Sequence, residues 1–296
     1  MKIFDCFMFF DEDQVLDLRL NILNESVDYF VIVESIYNHR GEKRNLLFDK
    51  KKYEKFQEKI IYLVYDQIPD KVEEINVNEN QKTQDNKYIM NALYRENSQR
   101  DFIYQGLKNA SNEDLILISD VDEIPKLEEV NLENIKEKII MFQQDMFYYK
   151  FNLKLPGMVW TGTKGCRKKD LLSPQWLRNV KDRKYSKLRL DILFSEKKYN
   201  SIKFIDNGGW HFTNIKSAAE IHHKLKSYLH HIEFDQKPLS TSQINDIIKN
   251  KQAIYDLTLD QKINKIGGGN KLVNYDFDKL PTYLKQNKKN YAEWLD

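Results

Sequence analysis

Asp120, Asp122 and Glu123 stand directly behind the apolar run Leu115-Ile116-Leu117-Ile118, and Pro125 follows two residues later. The apolar run reads as a buried strand. Pro125 stops it, because proline has no N–H to give a sheet. Side chains alternate along an extended chain, so the spacing predicts that Asp120 and Asp122 share a face. Crevices beyond the carboxyl ends of strands are where open α/β sheets bind ligands. Two carboxylates there suit a hard divalent cation, Mg2+ or Mn2+, which takes oxygen ligands and commonly shares them with substrate phosphates. The chemistry this fits is a metal–diphosphate site, hence an enzyme acting on a nucleotide sugar. Acidic residues after a strand also occur in plain turns and helix caps. The buried strand before this motif and the Glu-Ile-Pro after it set it apart from a chance Asp-x-Asp.

The elements that must position these residues alternate through the first half of the chain. Ile3 to Phe10, Tyr29 to Val33 with Glu34 at its end, Ile60 to Tyr65, and Leu115 to Ser119 read as strands. Leu16, Leu20 and Leu23 recur at helical spacing, and Tyr88 to Ala110 reads as a long helix. Residues 66–86 are polar and read as a surface loop. Such alternation predicts an α/β protein with a mostly parallel central sheet flanked by helices.

After Pro125 the pattern changes. Glu128 to Lys138 looks helical, and Ile139 to Leu153 looks like one long strand. Met158 to Thr161 and Ile202 to Ile205 are shorter strand candidates. Ala218 to His231 and Ile244 to Asp256 read as helices, Gly267-Gly268-Gly269 as a break, and Leu280 to Trp294 as a terminal helix. The simplest division is a catalytic domain over 1–240 with a helical C-terminal extension, 241–296, packed on it.

Composition narrows the function classes. Lys and Arg total 47 against 45 Asp and Glu, and a net charge of +2 gives no general drive toward nucleic acid. The basic runs Lys50-Lys51-Lys52 and Arg167-Lys168-Lys169 read first as solvated faces. Cys6 and Cys166 make neither a disulfide framework nor a zinc pattern. No secretory leader or run of eighteen apolar residues appears, so a cytoplasmic protein without a transmembrane segment is expected, with peripheral membrane contact left open. There is no phosphate loop, no Gly-x-Gly-x-x-Gly fingerprint and no nucleophile elbow.

Several stretches, in order along nearly the whole chain, resemble one known family. They are Asp5-Cys6-Phe7, Phe9-Phe10, Glu12, Arg19-Leu20, Leu23, Val27-Asp28 and Phe30 to Glu34, then Arg95-Glu96, Gln99-Arg100 and Ser119 to Pro125. Gly209-Trp210-His211-Phe212, Lys224 and Leu280-Pro281 with Tyr283-Leu284 and Asn287 complete the series. On these the chain resembles glycosyltransferase family 17, which includes β-1,4-mannosyl-glycoprotein N-acetylglucosaminyltransferase. The resemblance implies a GT-A (Rossmann-like) fold, a UDP-sugar donor, a divalent metal and inversion at the anomeric carbon. N-acetylglucosamine is the sugar expected on that resemblance; the sequence leaves the acceptor open between a glycan and a lipid-linked saccharide.

The candidate residues follow, each with its plainer alternative. Asp120 and Asp122 are expected at the metal and the donor diphosphate. His211 is either a third metal ligand or diphosphate contact, or a structural histidine beside an aromatic. Glu34 ends a strand at the sheet's carboxyl edge and is expected at the nucleotide; otherwise it is a surface carboxylate. His39 and Arg40 would line the same pocket. Arg95, Gln99 and Arg100 occupy neighbouring rows of one helix, where an arginine fork suits phosphate or braces Asp120; Glu96 and Arg100, four apart, would pair whatever the function. Lys224 matches the family and would serve the donor. Trp160, Trp210, Lys164 and Arg167 are the acceptor-side candidates, although large aromatics are more often core. His222-His223 and His230-His231 suggest a metal cluster, but no partner residues support one. An inverting transfer needs a general base. Asp170, Asp182 and Asp191 lie in the acceptor-side half, and no local context chooses among them. A GDP-, CMP- or dTDP-sugar enzyme, or a non-catalytic glycan-binding relative, remains the alternative.

Overall fold

The computed structural model describes residues 1–186, 190–192, 194–227, 231–256 and 265–296. Its central feature follows from four apolar segments: β1 (Ile3–Phe9), β2 (Tyr29–Ser35), β3 (Ile60–Tyr65) and β4 (Leu115–Asp120) pair in parallel in the order β3-β2-β1-β4. β1, β2 and β4 are covered on both faces, which explains their continuous rather than alternating apolar composition. Helices make the crossovers. α1 (Asp13–Leu23) joins β1 to β2 and packs Val15, Leu16, Leu20 and Leu23 into the core. α2 (Gln81–Asp101) leads toward β4. It starts well before Tyr88, because the Asn80 side chain accepts the Thr83 N–H and caps the first turn.

The second half turns the sheet back on itself. β5 (Glu123–Pro125), β6 (Ile139–Tyr148), β7 (Leu153–Arg167), β8 (Ile202–Ile205), β9 (Gly209–Thr213) and β10 (Val273–Asn274) extend the order to β3-β2-β1-β4-β7-β6-β9-β5. β8 lies beside β6 and β10 beside β7. β7 runs antiparallel to both β4 and β6, whereas β8 and β9 are parallel to β6. The result is a mixed α/β protein with a curled, mostly parallel sheet flanked by helices. Pro125 closes β5, an edge strand, where its missing N–H costs nothing.

The expectations for residues 128–153 need correction. Residues 128–138 hold no α-helix, only a 3-10 turn at Leu132–Asn134 that the Asn131 side chain caps. The stretch 139–153 is not one strand. Tyr149 adopts φ +63°, the chain reverses over Lys150 to Asn152, and β6 and β7 become a hairpin.

The remaining helices are α3 (Pro174–Asn179), α4 (Ala218–Ser227), α5 (His231–Gln236), α6 (Thr241–Lys249) and α7 (Thr282–Gln286). The expected helix over 218–231 includes residues 228–230, which lie outside the described residues, as does His230. α6 begins at a Ser240–Gln243 capping box and ends at Lys249, short of Asp256. The C-terminal tail packs on α1: Leu280, Leu284 and Tyr291 join the core cluster built on Phe7, Leu16 and Phe212. Each such fully buried apolar side chain contributes about 1.5–3 kcal/mol. Cys6 and Cys166 are buried free thiols. Among the described residues no helix is long and apolar enough to cross a membrane.

Candidate active site

Arg19 shapes the acidic turn. It is fully buried on α1, bonded through Nε and Nη2 to both oxygens of Asp5 on β1 at 2.8 and 2.6 Å, with its guanidinium 4.5 Å from the Phe7 ring centroid. Nη1 donates to the carbonyls of Asp120 (3.2 Å), Val121 (3.1 Å) and Glu123 (2.8 Å), and Nη2 to Ser119 Oγ (2.9 Å). Three carbonyls drawn onto one guanidinium fix the path of the backbone between β4 and β5. β4 therefore ends at Asp120, and a turn, not strand alternation, relates Asp120 to Asp122.

Both aspartates line a cleft across the carboxyl ends of β1, β2 and β4. The strand order reverses at β1/β4, the kind of switch point where α/β sheets take ligands. The cleft is open to solvent. Phe9 comes from the end of β1, Glu12 from the N-cap of α1, Ser35 from the end of β2, Tyr37 and His39 from the loop after it, Gln99 from α2 and Ser227 from the end of α4. A second recess shares Ser35, Tyr37, His39 and Gln99 and adds Tyr65, Ile68 and Arg95, so the two lie side by side.

The two aspartates have different partners. Asp122 Oδ2 lies 3.5 Å from His211 Nε2. Burial would raise the Asp122 carboxyl, but His211 outweighs this and holds it below the usual range; in return Asp122 raises His211 against its own burial. Asp120 Oδ1 accepts from Arg100 Nη2 and Oδ2 from Arg178 Nη2, both at 3.0 Å. These arginines, Arg178 foremost, overcome desolvation and keep Asp120 ionised far into acid. Glu12 is buried beside Lys224 Nζ (3.9 Å), and burial raises its carboxyl.

The expected set of Asp120, Asp122 and His211 is not assembled as three ligands: among the described residues no trio of histidine, cysteine or carboxylate side chains is placed to hold a metal ion. Asp120 is drawn away by its arginines. Asp122 and His211 remain adjacent, and His211 Nδ1 is buried with no hydrogen-bond partner among the described residues. A hard cation that brings diphosphate oxygens with it needs only one or two protein ligands, so Asp122 and His211 fit Mg2+ or Mn2+ on those terms.

Glu123 is a buried hub. It accepts from Trp160 Nε1 (2.7 Å), from Arg178 Nη1 and Nη2 (2.7 and 3.0 Å) and from the Asp120 N–H (2.9 Å). It thereby fixes the Trp160 indole 5.3 Å from the His211 ring, centroid to centroid. Arg178 sits on α3, whose first turn is capped by Ser173 with Pro174 at its start. Lys164 Nζ donates to the carbonyls of Arg178 (2.7 Å) and Val180 (2.6 Å), tying the end of α3 to β7. Lys164 is thus a buried structural cap that lines neither the cleft nor the second recess. Burial, helped by Arg178, pushes its ammonium down to about 8. An unfolded lysine titrates near 10.4, so between about pH 8 and pH 10.4 the unfolded chain holds more protons and stability rises with pH. The stability of the wild type relative to Lys164→Met should therefore grow by up to about 3 kcal/mol across that window, measured by urea denaturation. A flat difference would mean that Lys164 titrates as an exposed lysine.

Other expected residues are placed elsewhere. Glu34 is fully buried and does not face the cleft: its carboxylate accepts from the Leu47 and Phe48 N–H groups and Tyr62 OH, and pairs with Arg44, so it pins the loop 36–48 to the sheet. Arg40 bonds the Lys226 carbonyl and Asp235, joining that loop to α4 and α5. Arg95 holds the His39 carbonyl from the second recess. Trp210 is core, stacked parallel to Phe212. Arg167 pairs in register with Leu115, at the amino end of β4, opposite the cleft, where it donates to the Glu113 and Leu132 carbonyls. Asp170, just beyond it and 3.6 Å from Lys138, shares that distant end. Asp182 is exposed after α3, and Asp191 pairs with Lys198. None of these three carboxylates lines the cleft. His222 packs edge-on against Phe234, so the histidine series shows no metal cluster among its described members.

Arg178 carried no signal in the sequence reading, and Glu12 and Arg19 entered it only as matching residues without a role. The full chain confirms the resemblance: the model of glycosyltransferase family 17 matches residues 1–295. An enzyme that transfers a sugar is what this fold and match define, and the chain belongs to glycosyltransferase family 17. No individual curated protein matches it.

Proposed function

We propose that the protein is a metal-dependent, inverting glycosyltransferase that moves a sugar, N-acetylglucosamine, from UDP to a hydroxyl of a glycan or lipid-linked saccharide. The observation that carries this reading is Asp122, which lines the cleft at the switch point of the parallel strands with His211 3.5 Å behind it. A bound Mg2+ or Mn2+ would neutralise the charge that builds on the departing nucleoside diphosphate. The chain's own groups do the rest. Asp122 and His211 would hold the ion. Lys224, from α4, adds positive charge beside Glu12. The second recess, walled by Tyr37, Tyr65 and Ile68 with Gln99 and Arg95 as polar contacts, receives the nucleoside. Trp160, held by Glu123, offers a flat apolar face next to His211 on which a sugar ring can pack.

Calorimetric titration of UDP with Mn2+ and with EDTA tests the proposal, with GDP, CMP and dTDP as competitors. UDP should bind at least tenfold more tightly with metal and outcompete the others. Equal binding in both conditions would remove the metal from the mechanism, and preference for another nucleotide would replace the donor.

A further inference from the structure

Arg100 and Arg178 come from different helices, α2 and α3, yet their Nη2 atoms converge on one carboxylate. Each is held in place by other acceptors. Arg100 bonds Glu96 (2.9 Å) and Gln175 (2.5 Å). Arg178 bonds Glu123 and the Gly162 carbonyl (2.7 Å). Neither guanidinium therefore depends on Asp120 for its position. Arg100 is buried, and its Nε has no acceptor among the described residues. Asp120 is the most exposed of the three: its side chain is 38% exposed on the cleft wall, against 4% for Arg100 and 13% for Arg178. Two planar forks aimed at one point of a cleft suit a phosphate as well as a carboxylate.

We propose that Arg100 and Arg178 form an anion subsite for a phosphate group, and that Asp120 is its exchangeable internal occupant rather than a cation ligand. The identity of the anion as the donor's diphosphate rests on the proposed function; the subsite itself does not. On exchange, the phosphate oxygens accept the two Nη2 hydrogens and the Asp120 carboxylate turns to solvent. Glu96 and Glu123 already balance the charge of the two guanidinium groups; Asp120 occupies their remaining Nη2 hydrogens, and sets a threshold that an anion must beat. Removing its charge should therefore strengthen anion binding, the reverse of what loss of a metal ligand does.

Inorganic pyrophosphate, titrated in EDTA at low ionic strength, is the probe, with thermal melts to confirm folding. Asp120→Asn should bind it about tenfold more tightly than the wild type, and Arg100→Gln several-fold more weakly, with salt eroding both. Asp120→Asn should also keep its Mn2+ affinity in the presence of UDP within about threefold. Unchanged or weaker pyrophosphate binding by Asp120→Asn overturns the proposal, as does collapse of its Mn2+ affinity. If Asp120→Asn fails to fold, Arg100→Gln decides: weakened binding supports the subsite and unchanged binding overturns it. Should UDP fail to bind the wild type while Asp120→Asn gains pyrophosphate affinity, the donor is wrong and the subsite stands.

Discussion

Arg19→Met should destabilise the protein by about 3–5 kcal/mol, because it leaves the fully buried Asp5 carboxylate without its partner. The carbonyls of Asp120, Val121 and Glu123 lose their donor in the same step. Stability loss alone would say only that Arg19 is buried. The informative experiment is the double variant Asp5→Leu with Arg19→Met. Replacing both members of a buried ion pair by apolar residues of similar size removes the stranded charge and is often close to neutral. The double variant should therefore recover about half or more of the lost stability, measured by urea denaturation. It should not recover Mn2+-dependent UDP binding, which is expected to stay at least tenfold weaker than in the wild type. The reason is geometric: three carbonyls of the acidic turn then point at methyl groups and the turn relaxes. A double variant that binds UDP normally would show that Arg19 serves the core and not the turn.

The same residue shows where the sequence could be read and where it could not. The parallel strands were legible because each is a short, uninterrupted apolar run, which only a strand covered on both faces needs. The acidic turn was legible because the buried run before it and the Glu-Ile-Pro after it set it apart from a chance Asp-x-Asp. Direction was not legible. β7 reads as a strand candidate from Met158 to Thr161, but nothing in it states that it runs antiparallel to β4. That reversal carries Arg167 and Asp170 to the far end of the sheet and leaves Trp160 beside the site. Tyr149 hid the hairpin, because tyrosine is not a residue that announces positive φ. Glu34 was placed correctly at a strand end, yet its oxygens turn to the Leu47 and Phe48 amides, a loop contact that no local pattern encodes. Arg178 lies on a six-residue helix whose position depends on Lys164 and Gln175, both remote in sequence from the turn it serves. Residues that act through long-range hydrogen bonds are the ones a linear reading loses.

Asp122 carries the second large effect. Asp122→Asn keeps the shape of the side chain but removes the charge that faces His211 and the groove. Sugar transfer, measured as kcat/KM with Mn2+ present, should fall about a hundredfold to a thousandfold, the scale on which losing one stabiliser of the developing charge is felt, here the cation that Asp122 would hold. His211→Gln should cost less, about tenfold to a hundredfold, because a neutral ligand contributes orientation more than charge. The two losses should not multiply. If one cation depends on both side chains, its departure in either variant already forfeits most of what the other contributes, and the double variant should be little worse than Asp122→Asn alone. Raising Mn2+ should partly restore the rate of Asp122→Asn, since the amide oxygen is still a ligand, whereas a purely structural defect would not respond to metal. Strictly multiplicative losses, or a rate indifferent to Mn2+, would break the link between this pair and a shared ion and leave the groove to bind its donor through cationic side chains alone.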